Sequence, residues 1–209
     1  SGMRFAHPNI NNGSANIARV YRRKGNKMRQ KIRIGSGSGF WGDAIDPALE
    51  LLEKGELDYL CFDFLAELTM ALLQRQKLKN PQLGYVPDAI QYMKEMMPMA
   101  RQRGTRLISN GGGVNPRAGA QRIVEDAREL GLKGTKVALV EGDDLLNKID
   151  AIVAAGVPLT NLDTGDTNFA AIRNRVVAAN AYTDSSGIIE GLGVGANVVI
   201  AGRVSDNAV

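Results

Sequence analysis

Short apolar runs recur along the chain, and nearly every one stops abruptly at glycines, amides or acids. Lys31–Ile34 runs into Gly35–Asp43 (GSGSGFWGD), and Tyr59–Phe62 into Asp63 and Glu67. Arg106–Ser109 runs into Asn110–Pro116 (NGGGVNP), Val137–Val140 into Glu141–Asp144 (EGDD), and Val198–Ile200 into Gly202–Asp206 (GRVSD). Amphipathic stretches separate these runs, an alternation that predicts an α/β fold. The expected fold is a mainly parallel sheet with helices on both faces, Rossmann-like or flavodoxin-like. In such a sheet all five exits share the edge at the strand C-termini, where open α/β sheets bind ligands.

The helix boundaries follow from local signals. Asp46-Pro47 reads as N-cap and first residue of a helix that ends at Gly55, with a positive φ expected there. A second helix is expected over Leu65–Lys79 with Leu65, Leu68 and Leu72 on its inner face. A third covers Asp88–Arg103, its methionines Met93, Met96, Met97 and Met99 filling core gaps. Asn115-Pro116 opens a fourth, with Ala120, Ile123, Ala127 and Leu130 as its stripe and Gly131 as its stop. A fifth is expected over Leu145–Ala155 and a sixth between Phe169 and Ile189, with Thr160–Asp166 as a loop. Gly191-x-Gly193-x-Gly195 precedes a strand, so it reads as the turn after the sixth helix and not as a nucleotide loop.

Charge is unevenly distributed. Residues 1–42 hold nine Lys/Arg and no acid, which leaves 17 basic against 22 acidic groups in the remainder. The high isoelectric point thus belongs to a basic N-terminal extension, residues 1–30, and not to the domain at 31–209. That extension reads either as an arm for an anionic partner or as a solvated leader; it carries no nucleic-acid motif. Ser1-Gly2 before Met3 has the look of a cloning scar. The only cysteine is Cys61, so no internal disulfide can form, which fits a reducing, cytoplasmic setting. No apolar run is long enough to span a bilayer, and the few aromatics argue against a base-stacking surface. The last residues after Ile200 form a polar loop with no closing helix, from which a C-terminally incomplete domain is expected.

Several exit residues carry chemistry. Gly37-Ser38-Gly39-Phe40-Trp41-Gly42 matches G-x-G-x-x-G, with Asp63 about twenty residues on as in a dinucleotide fingerprint. Bulky Phe40-Trp41 and a late helix start speak against NAD; an anion seated on the backbone N–H groups of Gly37, Ser38, Gly39 and Gly42 fits better. Gly112 and Gly113 offer a second such turn. Asp43, Glu67, Glu141 and Asp144 are expected to converge, sharing protons or holding a divalent cation through oxygen. Asn110 and Asn180 supply uncharged partners for a carbonyl or thioester oxygen. Arg203 is the candidate clamp for an anionic group, oriented by Asp206. The lone histidine, His7, lies in the leader, so acid–base work must fall to carboxylates, Lys, Tyr182 or water.

Read in order, IRIGSGSGFWGDAIDPALELLEKGELDYL, DFLAELTMALL, LGYVPD, SNGGGVNP, VALVEGDDLL, LTNLDTGD, ANAY and ANVVIAGRVSD resemble the AtuA-like family, named for acyclic terpene utilisation. The likeness runs from residue 31 to the end. It implies bacterial breakdown of branched acyclic terpenoids through acyl-CoA intermediates, with a lyase step that releases acetate, and it assigns no catalytic residues. The expectation is therefore a small-molecule catabolic enzyme acting on a branched acyl-CoA or related carboxylic acid. Two alternatives are a nicotinamide-dependent oxidoreductase and a non-catalytic subunit of a catabolic complex. The expected partners are a small-molecule substrate and either further copies of the chain or a partner subunit, with neither nucleic acid nor membrane.

Overall fold

A computed structural model describes residues 31–209; the basic segment 1–30 lies outside the described residues. Five strands, β1 (Ile34–Ser38), β2 (Tyr59–Phe62), β3 (Arg106–Ser109), β4 (Val137–Val140) and β5 (Val198–Ala201), form one sheet. Its order is β1-β2-β3-β5-β4, and every pairing is parallel. Six α-helices accompany it among the described residues: α1 (Asp46–Lys54), α2 (Glu67–Lys79), α3 (Pro87–Arg103), α4 (Pro116–Glu129), α5 (Ile149–Ala154) and α6 (Ser186–Gly193). The expected α/β architecture is thus present, with all five strand exits on one edge.

Strand alternation sorts the side chains into two layers. Leu60, Phe62, Leu107, Val198 and Ile200 face a large core that also takes Leu52 from α1, Leu73 from α2, Met93 and Met96 from α3 and Ile123 from α4. Ile108 and Val199 face the other way, under Ile188 of α6 and Ala196. This second layer is thinner: α6 packs on β4 and β5, while Ile34 on edge strand β1 is 68% exposed. No helix of the described chain is long and apolar enough to cross a membrane.

Several local expectations need correction. Strand β1 begins at Ile34 and not at Lys31, so Gly35 to Ser38 are strand residues and not an exit loop. The glycines there are a packing requirement. A Cβ on Gly35 would lie 2.7 Å from Leu57, and one on Gly37 would lie 2.3 Å from the Phe62 ring. Asp46 does not cap α1: the helix starts at Asp46 itself, with Ile45 in the cap position and no side-chain cap bond. Gly55 keeps a φ of −81°. It is glycine because a Cβ would lie 2.6 Å from the Leu51 carbonyl oxygen. On α2, Leu68 and Leu72 turn outward, Leu68 being 71% exposed, and Thr69, Met70, Leu73 and Gln74 form the inner face.

Met93, Met96 and Met97 are buried in α3 as expected, and Asn115 caps α4 by accepting from Ala118 N. Leu130 falls outside that helix's buried stripe. The predicted fifth helix is a 3-10 turn at Leu146–Lys148 followed by the short α5. The region from Phe169 holds two 3-10 turns, at Phe169–Ala171 and Arg173–Arg175, before α6. Gly191 and Gly193 lie inside α6, and only Gly195, at φ 83°, makes the turn. A Cβ on Gly191 would press to 2.7 Å on Ala138, so glycine lets α6 approach β4 closely.

Candidate functional site

The exit of β1 is closed by its own acid. Asp43 Oδ2 accepts from Gly39 N at 2.7 Å and Phe40 N at 3.1 Å. The Tyr92 hydroxyl donates to the Asp43 carbonyl and anchors its backbone. Gly42 adopts φ 123°, a conformation that glycine alone adopts readily. The Gly39 and Phe40 amides expected to seat an external anion are thus taken by the chain's own Asp43 carboxyl. Of the proposed seat, Gly37 and Ser38 have become strand. The strand itself lies at the sheet's edge, whereas a dinucleotide turn follows a strand at the point where the strand order reverses.

The exits of β2 and β3 are tied by hydrogen bonds to the Asn110 side-chain amide. Asn110, fully buried, donates through Nδ2 to Asp63 Oδ1 at 2.6 Å and accepts from Phe64 N at 2.9 Å. Asp63 Oδ1 also takes Leu65 N at 3.2 Å. Gly112 N donates to the Ala201 carbonyl at 3.0 Å and Gly113 N to the Asn110 carbonyl at 3.2 Å. A Cβ on Gly112 would lie 2.5 Å from the Ala201 oxygen, and one on Gly113 2.4 Å from Leu73. Asn110, Gly112 and Gly113 are therefore placed as a brace between strands.

At the β4 and β5 exits, buried Asp143 replaces the residues singled out in its loop. Its Oδ2 accepts from Arg203 N at 3.0 Å and from Asn180 Nδ2 at 2.9 Å. Burial pushes the Asp143 carboxyl above the ordinary carboxylate range, while the bonds from Arg203 and Asn180 pull against that rise. Gly202 is required beside it, since a Cβ there would meet Asp143 Oδ1 at 2.4 Å. Asp144 Oδ1 accepts from Leu146 N at 3.0 Å, a local turn bond. Glu141 pairs with Arg117 at the surface.

The four acids expected to converge do not. Asp43 follows β1 and Glu141 and Asp144 follow β4, the two outer strands of the sheet; four strand spacings put them about 19 Å apart. Among the described residues no group of His, Cys, Asp or Glu is arranged to hold a metal ion.

Arg203 is the residue on which the edge is built. Its side chain, 4% exposed, donates through Nη1 to the Leu65 carbonyl at 3.0 Å. Nη2 reaches Asp206 Oδ1 at 3.1 Å and Glu67 Oε1 at 3.9 Å. Its Cζ lies 4.1 Å from the centroid of the Tyr182 ring, within cation–π range. Burial opposes the charge on Arg203, but Tyr182 and Asp206 outweigh it and raise the guanidinium's pKa further. The Tyr182 hydroxyl donates to Glu67 Oε1, and that bond first, with Arg203 last, holds the Glu67 carboxyl below its usual range. Asp206 leads from this cluster to an open pocket of about 360 Å³ that runs along β1 and beside β2, lined by Ile34, Ser36, Ser38, Cys61, Asp63 and Val209. Burial pushes the Cys61 thiol up to about 11, so it stays protonated and unreactive near neutral pH.

Of the predicted residues, the structure brings Glu67, Arg203 and Asp206 into one cluster and places Ser38 and Gly39 on the adjoining cavity. Asn180 touches the cluster through Asp143. Sequence reasoning did not single out Asp143, and it named Tyr182 only as one of several groups left for acid–base work. Asp143 sits beside Asp144 in an acidic pair whose buried member only packing selects. Tyr182 follows Asn180 in a segment without regular structure, so no periodicity marks it.

The family model described as "Acyclic terpene utilisation family protein AtuA" matches residues 32–209. Neither a curated protein nor a solved structure matches the chain.

Proposed function

The chain belongs to the acyclic terpene utilisation family AtuA, and from that premise we propose that it acts on a branched acyl-CoA or related carboxylic acid, with lyase-type chemistry, in acyclic terpenoid breakdown. The observation that carries this reading is the pocket of about 360 Å³ along β1 and β2, bordered by Asp206 of the Arg203 cluster. Its volume lies at the small end of ligand pockets, which run from about 300 to 1,000 Å³. A short branched acyl group fits that size, and a whole dinucleotide does not. The apolar lining from Ile34 and Val209 suits the branch, and the hydroxyl of Ser36 offers a donor for an acyl oxygen, that of Ser38 being spent on the Asp63 carbonyl. The phosphates of a coenzyme would remain outside, which accords with amides of Gly39 and Phe40 already taken by Asp43.

Calorimetry with isovalerate, isovaleryl-CoA, CoA, NAD and NADP tests the reading. Gly39→Val is the informative variant. A Cβ at Gly39 meets nothing nearer than Asp43 Oδ2 at 3.9 Å, so the substitution is accommodated, and it adds bulk to the pocket lining. Binding of isovaleryl-CoA, weakened on the order of tenfold or more by Gly39→Val through about 1.4 kcal/mol of lost contact, is the expected result. Tight NAD binding lost in the same variant would instead favour an oxidoreductase.

A further inference from the structure

The segment between β4 and α6 contributes almost nothing to the core. From Asp144 to Gly187 only Ile149 is buried. Beyond α5 it holds only short 3-10 turns, and long stretches of that kind in compact domains usually serve a function. One part of it is nonetheless built firmly. Asn161 Oδ1 accepts from Asp163 N at 2.9 Å and from Thr164 N at 3.0 Å. Gly165 N donates to the Asn161 carbonyl at 2.8 Å, with Gly165 at φ 72°, and Asn161 N donates to the Asp166 carbonyl at 2.8 Å. The turn closes on itself and holds up Leu162, which is 98% exposed. A leucine left in water adds no burial to its own chain.

A matching surface lies on α2. Leu68, Leu72, Arg75 and Lys79 are spaced i, i+4, i+7 and i+11, so they line one face of the helix, and all four are exposed. Thr69, Met70, Leu73 and Gln74 form the inner face, which leaves the leucine side surplus to the chain's own core. The turn carries the complementary order, Leu162 followed by exposed Asp163 and Asp166. None of these two acids and two cations has an ion-pair partner among the described residues. We propose that the turn seats on the α2 stripe of a second copy of the chain, with Leu162 against Leu68 and Leu72 and the acids against Arg75 and Lys79. Within one chain the turn and the stripe are both left exposed, so each is available to the other copy. The segment returns to α2 at Val177, whose carbonyl accepts from Gln74 Nε2 at 2.8 Å. A two-fold axis beside α2 then lets each copy give one turn and receive one, which closes the pair. The leucine supplies the buried anchor, and the opposite charges around it fix the register.

Sedimentation velocity of the full chain, from nanomolar to high micromolar concentration, tests the pairing. The expected species at micromolar concentration is two copies. Leu162→Ala and Leu68→Ala should each weaken association about tenfold or more. Both side chains are exposed, so the far-ultraviolet circular dichroism of the variants should match that of the parent chain. Asp163→Lys should also weaken the pair, and Arg75→Glu in the same chain should recover part of that loss, because the reversed charges attract again. A parent chain that stays monomeric into the high micromolar range overturns the proposal. A pair that either leucine variant leaves untouched puts the interface elsewhere and overturns it as well. Additive effects of Asp163→Lys and Arg75→Glu show that the turn does not meet the stripe, with the same consequence.

Discussion

At the scale of single residues, Asp143 shows how a buried acid can organise an edge without doing chemistry. Both groups that it accepts from, Arg203 N and Asn180 Nδ2, would lose their acceptor in Asp143→Ala. Leaving them unpaired in a buried place should cost about 1–3 kcal/mol, measured as a shift of the denaturant midpoint. Asp143→Asn retains an acceptor oxygen and should cost less. The pH dependence follows from the raised folded-state pKa. The folded state holds its proton to higher pH than the unfolded state, so this group's contribution to stability falls as pH rises from the ordinary carboxylate value through the raised one. Asp143→Asn should abolish that part of the slope, seen by comparing unfolding midpoints across the acidic range. Glu67 works in the opposite sense. Its lowered folded pKa adds stability above the ordinary value that disappears as pH falls through the folded one.

At the scale of elements, glycine placement is decided by neighbours in other strands and helices. Gly37 is the clearest case, because its missing Cβ leaves room for the Phe62 ring packed against it. Phe62 is fully buried and stacks on Phe64 at a centroid distance of 6.2 Å, so it has little freedom to move aside. Gly37→Ala should therefore destabilise by about 1–3 kcal/mol through overpacking. Combining it with Phe62→Leu should recover part of that loss, a coupling that a double-mutant cycle reads directly. Additive effects would show that the two sites do not meet. Between α3 and α4, Asp126 plays a related part: its buried carboxylate takes Lys94 Nζ at 2.9 Å and Arg122 Nη2 at 2.8 Å. Asp126→Ala removes the buried acceptor that both cations share and leaves Lys94 to Glu129 and Arg122 to Glu125 and Glu129. A lower midpoint, with the difference reduced in high salt, is the expected outcome.

At the scale of the whole molecule, strand order determines which exits can cooperate. The sequence β1-β2-β3-β5-β4 brings the β5 exit beside β3 and close to β2, so Arg203 and Asp206 meet Glu67 and the cavity. It sends Glu141 and Asp144 to the far edge from Asp43. With the acids separated in this way, calcium or magnesium should leave the thermal midpoint unchanged, and a chelator should do the same. A rise of several degrees with either metal would overturn that separation of the acids.

Much of this was legible in the sequence. The apolar runs at residues 59–62, 106–109 and 137–140 are strands at the predicted bounds, because four-residue buried stretches flanked by polar breaks have few other places to go. Their common direction followed from the helices between them. Asn115 as a cap and the methionines of α3 as core were readable for the same reason, since both depend on neighbours a few residues away. What tertiary structure alone decided is which polar groups are spent on the fold. A glycine turn and an aspartate four residues on look like a ligand seat until their bond is seen, and Asn110 looks catalytic until Asp63 and the Phe64 amide occupy it. Side-chain pairing across tens of residues depends on strand order and burial, which local sequence does not encode. Tyr182 therefore entered the site through Arg203, a residue distant in sequence that the sheet brings into contact.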